Sequence, residues 1–133
     1  MVNSLNKNTM MEVLGIECIE IGSDFVKSRM PVNAFTHQPM GLLHGGASAA
    51  LIESIGSMGS TLLLDLDKEV PVGVEINANH VSGAKDGHVI ATGKIVHAGR
   101  RTHLWQVDIH HEETGKLVCT GRLTIMIVPK RNS

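Results

Sequence analysis

Gln38-Pro39-Met40-Gly41-Leu42-Leu43-His44-Gly45-Gly46 runs without a break into Ala47-Ser48-Ala49-Ala50-Leu51-Ile52-Glu53-Ser54-Ile55-Gly56-Ser57-Met58-Gly59-Ser60-Thr61-Leu62-Leu63-Leu64-Asp65. Pro39 and Gly41 punctuate the first part as a turn-rich loop, and residues 46–64 read as one helix. Length and small residues favour helix over strand, against the propensity cost of Gly46, Gly56 and Gly59. On a helical wheel, Gly46, Ala49, Ala50, Gly56, Ser57 and Ser60 share the side of Glu53, while Leu51, Ile55, Met58 and Leu62 fall opposite. The greasy face is expected to pack on a sheet. The small face lets a backbone or a ligand come close. Glu53 is the one charge of this helix, and a lone carboxylate there is costly to bury unless it is paired or used.

Outward from the helix, the chain reads as strands. Residues 1–7 look like a loose start, and Asn8 or Thr9 caps a short helix, Met10–Leu14, that Gly15 ends. Residues 16–21 and 25–32 form two strands joined by Gly22-Ser23-Asp24, with Pro31 closing the second. Beyond the helix, residues 65–71 are a charged connector. Four alternating segments follow, around residues 72–79, 89–96, 104–109 and 117–127. Turn signals separate them at Gly83-Ala84-Lys85-Asp86-Gly87, Ala98-Gly99-Arg100 and Glu112-Glu113-Thr114-Gly115. Short turns between consecutive strands predict an antiparallel sheet, and the whole is an α+β layout in one domain, residues 1–133.

Composition narrows the function. A formal net charge of -1 gives no global attraction to nucleic acid or an anionic membrane, and 2% aromatic content argues against a base-stacking platform. No apolar run has the length of a spanning helix, and the first residues lack a signal-peptide core, so a cytoplasmic protein is expected. Cys18 and Cys119 are isolated, without zinc spacing, and read as two buried free thiols. His110-His111-Glu112-Glu113 sits at a strand end before Thr114-Gly115, which reads as a solvated hairpin rather than a metal site. No metal and no separate cofactor are expected.

The chemistry gathers at the helix start. The backbone N–H groups of Gly45 and Gly46 lie where orphan donors and the helix dipole favour negative charge, as an oxyanion hole requires. Desolvation among apolar neighbours raises the pKa of a carboxyl group such as Glu53, suiting a general base or a nucleophile. Together these suggest acyl transfer to water. Taken singly, each residue has a plainer role: Glu53 paired with an unseen cation or facing solvent, Ser57 as a small packing residue, His44 as a cap or surface residue.

Gln38-Pro39-x-Gly41-Leu42-Leu43-His44-Gly45-Gly46-Ala47-Ser48, followed by Glu53-Ser54-Ile55-Gly56-Ser57, resembles the hotdog-fold acyl-CoA thioesterases. The likeness is to the subgroup with a helix glutamate, which includes 4-hydroxybenzoyl-CoA, 1,4-dihydroxy-2-naphthoyl-CoA and phenylacetate-pathway thioesterases. Val72-Gly73-Val74-Glu75-Ile76-Asn77-Ala78-Asn79-His80 is similar to the same subgroup, and the resemblance spans residues 15–128. It implies the hotdog fold, a long central helix wrapped by a curved antiparallel sheet. It implies homodimers or dimers of dimers, a homotetramer in the second case, with an active site shared between subunits. By the resemblance Glu53 is nucleophile or general base, Gln38, His44 and Gly45 come from the partner to polarise the thioester carbonyl, and Ser57 orients water or substrate.

Contacts to coenzyme A carry over to Gly73, to His80, Val81, Ser82 and Gly83, and to His97, Ala98, Gly99, Arg100, Arg101 and Thr102. Members often have Arg where Ser82 stands and a small residue at Arg100. Those departures bear on individual phosphate contacts, although arginines in a glycine turn suit phosphate. The expected activity is hydrolysis of acyl-CoA thioesters with aromatic or otherwise bulky acyl groups, with Met58 and Leu62 the candidates for setting pocket width. The competing readings are an acyl-CoA sensor without turnover, which has no need of the set Gln38, His44 and Glu53, and a hotdog dehydratase of 3-hydroxyacyl thioesters.

Overall fold

The computed structural model describes residues 2–131. Strands β1 (Glu17–Ile21), β2 (Phe25–Pro31), β3 (Glu69–His80), β4 (His88–Ala98), β5 (Thr102–His111) and β6 (Leu117–Pro129) form one sheet in the order β1-β2-β4-β5-β6-β3. All neighbouring strands are antiparallel. A short helix, α1 (Met10–Leu14), precedes the sheet, and the long helix α2 (Gly45–Leu63) packs on one face of it. The α+β architecture, a long helix wrapped by a curved antiparallel sheet, is the expected one.

The turn at residues 83–87 does not join sheet neighbours. After α2 the chain enters β3 at the far edge beside β6, and β4 must return to lie between β2 and β5. Residues 81–87 make that return and dock on the loop before α2. Leu43 N–H donates to Ala84 O at 2.8 Å and Val32 N–H donates to Gly87 O at 2.9 Å. The connection therefore braces the loop that carries Gln38 and His44.

The core face of α2 is rotated from the face read off the wheel. Leu51, Ile52 and Ile55 are fully buried, each worth about 1.5–3 kcal/mol of apolar transfer. They meet Val107 and Ile109 of β5 and Leu123 and Ile125 of β6 in one cluster. Gly56 and Ser60, read as lying on the carboxylate side, are buried too, whereas Leu62 is 47% exposed and Met58 only half-buried. The cause is Trp105. Its indole lies across the helix at Gly59, where any Cβ would overlap the ring. Small residues admit this bulky side chain, so they face the sheet and not the solvent.

Ser60 completes that contact. Trp105 Nε1–H donates to Ser60 Oγ at 2.8 Å, and Ser60 Oγ lies 2.8 Å from His103 Nδ1. Indole is only a donor, so the hydroxyl accepts from Trp105, and the imidazole tautomer decides which of Ser60 and His103 supplies the proton between them. His103 is buried, and desolvation lowers its pKa, with the nearby His97 charge acting the same way and Glu69 opposing.

Several boundaries differ from expectation. Residues 2–6, read as loose, include a 3-10 turn over Val2–Asn6 with Asn6 buried, while Met1 lies outside the described residues. Thr9 stands at the N-cap of α1, but its hydroxyl donates to Asn6 O at 2.6 Å instead of capping. β3 begins at Glu69 and takes in Pro71, which an edge strand tolerates because one N–H row goes unpaired there. Cys18 and Cys119 are buried free thiols. Glu112 is held by Arg29 through bonds of 2.7 and 2.8 Å. No helix among the described residues is long and apolar enough to cross a membrane.

Candidate active site

The loop of residues 33–44 is held so that its donors point outward. His44 N–H donates to Thr36 O at 2.8 Å, and His37 bridges to Leu43. His44 is the N-cap of α2, its Nδ1 accepting Gly46 N–H at 2.7 Å. That bond fixes the tautomer: Nδ1 is the acceptor, so the neutral ring carries its proton on Nε2, an exposed donor. Met40 N–H donates to Gln38 Oε1, which leaves the Gln38 amide NH2 as the free end. The Gly45 N–H has no acceptor among the described residues. Three donors thus lie on one short segment at a helix N-terminus, where partial positive charge favours an oxyanion.

Glu53 is the counterpart. It is half-buried, forms no ion pair or hydrogen bond among the described residues, and desolvation raises its pKa above the ordinary value. Its carboxylate lies against the backbone of Gly73 on β3. A Cβ built at Gly73 would come within contact of Oε1 and stand 3.1 Å from Cδ. A bulge at Gly73/Glu75 marks the same point in the β3–β6 ladder. Glu53 sits between two spaces. On one side is an apolar groove of about 430 Å³, which Ser57, Met58 and Leu62 also line. On the other is an open recess of about 630 Å³ between α2 and residues 73–76.

Within one chain the predicted residues fall into two groups. Gln38, Gly45, His80, Val81, Ser82 and Gly83 line a common recess of about 360 Å³. A Cβ at Gly45 would stand 2.8 Å from His80 Nε2, so glycine there lets the imidazole in. Glu53, Ser57 and Gly73 belong to the other group. Thr102 pairs with Met126, and Met126 with Val72, which puts the turn carrying His97, Ala98, Gly99, Arg100 and Arg101 near the Gly73 end of β3, away from His80. Eight helical rises place Glu53 about 12 Å along α2 from Gly45. A carboxylate cannot act on a carbonyl held by its own chain's Gly45 N–H across that gap.

Sequence reasoning missed part of the groove. Val2, Leu5, Met10 and Met11 line it opposite α2. Only the apolar residues interrupting a polar start gave any signal of this. Met58 and Leu62 do line the groove, as their candidacy for pocket width requires. The His110–Glu113 segment is committed elsewhere: Glu112 to Arg29, and His111 Nε2 within 3.0 Å of Asp86 O. No group of three metal-binding side chains exists among the described residues.

Residues 40–118 match the family model described as Thioesterase superfamily. The chain is 44% identical over 127 residues to 1,4-dihydroxy-2-naphthoyl-CoA hydrolase of Escherichia coli K12, covering 96% of this chain and 92% of that protein. It is 41% identical to proofreading thioesterase EntH of Cronobacter turicensis, covering 96% of this chain and 91% of that one. A crystal structure of a mutant thioesterase PA1618 from Pseudomonas aeruginosa superposes with a TM-score of 0.94 at 42% identity, covering 97% of this chain and 92% of that one.

Proposed function

The chain belongs to the thioesterase superfamily and is a thioester hydrolase of hotdog fold, and from that premise we propose that it hydrolyses acyl-CoA thioesters with bulky apolar or aromatic acyl groups. Glu53 carries the reaction. It attacks the thioester carbonyl to form a mixed anhydride that water then cleaves, or it takes a proton from the attacking water. Either route ends in a carboxylic acid and the free thiol of coenzyme A. The supporting observation is the state of Glu53: a half-buried carboxylate with no partner among the described residues, its basicity raised by desolvation, at the mouth of an apolar groove.

The carbonyl oxygen needs donors that grow stronger as negative charge develops. Gly45 N–H, His44 Nε2–H and the Gln38 amide are those donors. Since Gly45 stands about 12 Å from Glu53 along the same helix, with His44 and Gln38 before its start, the working site pairs Glu53 of one subunit with Gln38, His44 and Gly45 of a second copy. Ser57, one turn after Glu53 and beside the groove, orients the water or the acyl group. The coenzyme A chain runs along Gly73 of the subunit that supplies Glu53 and along the recess at His80, Val81, Ser82 and Gly83 that accompanies Gly45 of the second copy. Its phosphates meet Arg100 and Arg101 in the turn spanning His97 to Thr102. Neither guanidinium has an ion-pair partner among the described residues. No metal or redox cofactor is invoked.

The test is thiol release from a panel of aroyl-CoA and fatty acyl-CoA substrates by the wild-type chain and Glu53→Gln. Wild type is expected to release thiol most rapidly from bulky apolar substrates. Glu53→Gln is expected to bind them with nearly unchanged affinity and turn none over. Normal turnover in Glu53→Gln would end the assignment, and water loss from an added 3-hydroxyacyl-CoA, with no thiol release from the panel, would indicate a dehydratase.

A further inference from the structure

We propose that the N-terminal segment is a strap, fastened by Asn3 and Asn6, that selects an extended, uncharged, apolar acyl group; the proposal rests on reading the groove at Glu53 as the acyl site. The segment lies over the exposed face of α2. Leu5 and Met10 on the strap face Met58 and Leu62 on the helix across the groove of about 430 Å³. Glu53 and Leu62 both line it, so it runs roughly 13 Å along the helix. Among the described residues, Glu53, at the reacting end, is the only ionisable side chain in the lining. Apart from Glu53, a charged tail on the acyl group would find no ionisable partner among the described lining residues, and burying it would be costly.

The strap is fastened by side-chain amides acting as backbone. β1 is an edge strand, so one row of its N–H and C=O groups lacks a strand partner. Asn3 fills one place in that row from both sides: its Nδ2 donates to Cys18 O at 3.0 Å, and Cys18 N–H donates to its Oδ1 at 2.8 Å. The buried Asn6 Nδ2 donates to Ile16 O at 3.0 Å. These bonds set the distance between the 3-10 turn and α2, and hence the width of the groove.

Leu5 and Met10 have no place in the core. They are 70% and 61% exposed although they border the groove. Their apolar surface gains cover when an acyl chain lies in it. Methionine on both walls, at Met10, Met11 and Met58, gives a lining that adapts to linear or ring-bearing chains.

The experiment measures binding of two non-hydrolysable thioethers, 2-oxodecyl-CoA and acetonyl-CoA, to the full chain carrying Glu53→Gln, with and without Leu5→Ser/Met10→Ser. Losing roughly 50 Å² of apolar cover should raise Kd for the long analogue about tenfold, with the short one unchanged. Asn3→Ala, at an exposed residue, leaves the lining intact. It should lower the ratio of long to short affinity in the same direction, and Tm is followed in each variant. An unchanged Kd for the long analogue, or equal weakening of both analogues, overturns the strap. A wild-type chain that binds the long analogue in a strap-dependent way yet releases no thiol from decanoyl-CoA upholds the strap and overturns the hydrolase reading. Thiol release with selectivity indifferent to the strap variants does the reverse.

Discussion

Gly73→Ala isolates the position of Glu53 from its chemistry. The added methyl group would overlap Oε1 and stand 3.1 Å from Cδ and 3.2 Å from Oε2. To restore ordinary contact, the carboxylate must withdraw by about 1 Å. Gly73 sits at a bulge on edge strand β3, so the backbone there has some freedom, but the side chain is the softer element. A shift of 1 Å in a reacting group costs on the order of 10² in rate. The variant is therefore expected to lose about a hundredfold in kcat, with its fold kept because Gly73 is exposed and outside the core cluster. Thiol-release kinetics on the best substrate give kcat and KM, and thermal unfolding gives Tm. If Gly73→Ala keeps wild-type kcat with Tm unchanged, the carboxylate's position against β3 does not matter and the reasoning fails.

Other outcomes follow from the same contacts. Burial raises the Glu53 pKa, so the folded state holds that proton more tightly than the unfolded chain, and the charge destabilises the fold once pH exceeds the folded pKa. Glu53→Gln should then stabilise the protein at neutral pH, read as a raised Tm, while turnover disappears. The acid limb of the kcat profile should lie above the ordinary carboxylate range, read by thiol release across pH. His103 shows the opposite linkage. Its folded pKa is depressed, so its contribution is present above about pH 6.5 and is lost as pH falls through the folded value; unfolding midpoints in denaturant against pH measure this. Ser60→Ala strands the Trp105 N–H and His103 Nδ1 inside the core. At about 1–3 kcal/mol for each buried unsatisfied group, it should cost roughly 2–6 kcal/mol in a denaturant titration.

The helix and its carboxylate were legible because both depend on local pattern. A run of small and apolar residues after a glycine turn has few other solutions, and one glutamate within it stands out. The helix's rotation was not legible. It depends on Trp105, a residue of β5 whose indole claims the space beside Gly59, and helical spacing alone carries no record of that distant partner. The N-terminal segment escaped for the same reason. Asn3 and Asn6 look like loop residues until Cys18 and Ile16 appear opposite them. The motif around Gln38, His44 and Gly45 showed which groups belong to one reaction. The resemblance already implied that they come from a second subunit; the separation from Glu53 within one chain follows from their placement at the helix start and across β3.

Catalysis by this route needs residues from two subunits, and subunit mixing measures that need. Glu53→Gln and His44→Ala chains, each inactive alone, are unfolded together, refolded at equal concentration and assayed for thiol release. In a two-fold dimer, half the dimers are mixed, and each mixed dimer regains one intact site of two. Recovery of about a quarter of wild-type turnover is therefore expected. No recovery, with mixed dimers confirmed by native mass spectrometry, would contradict a site shared between subunits.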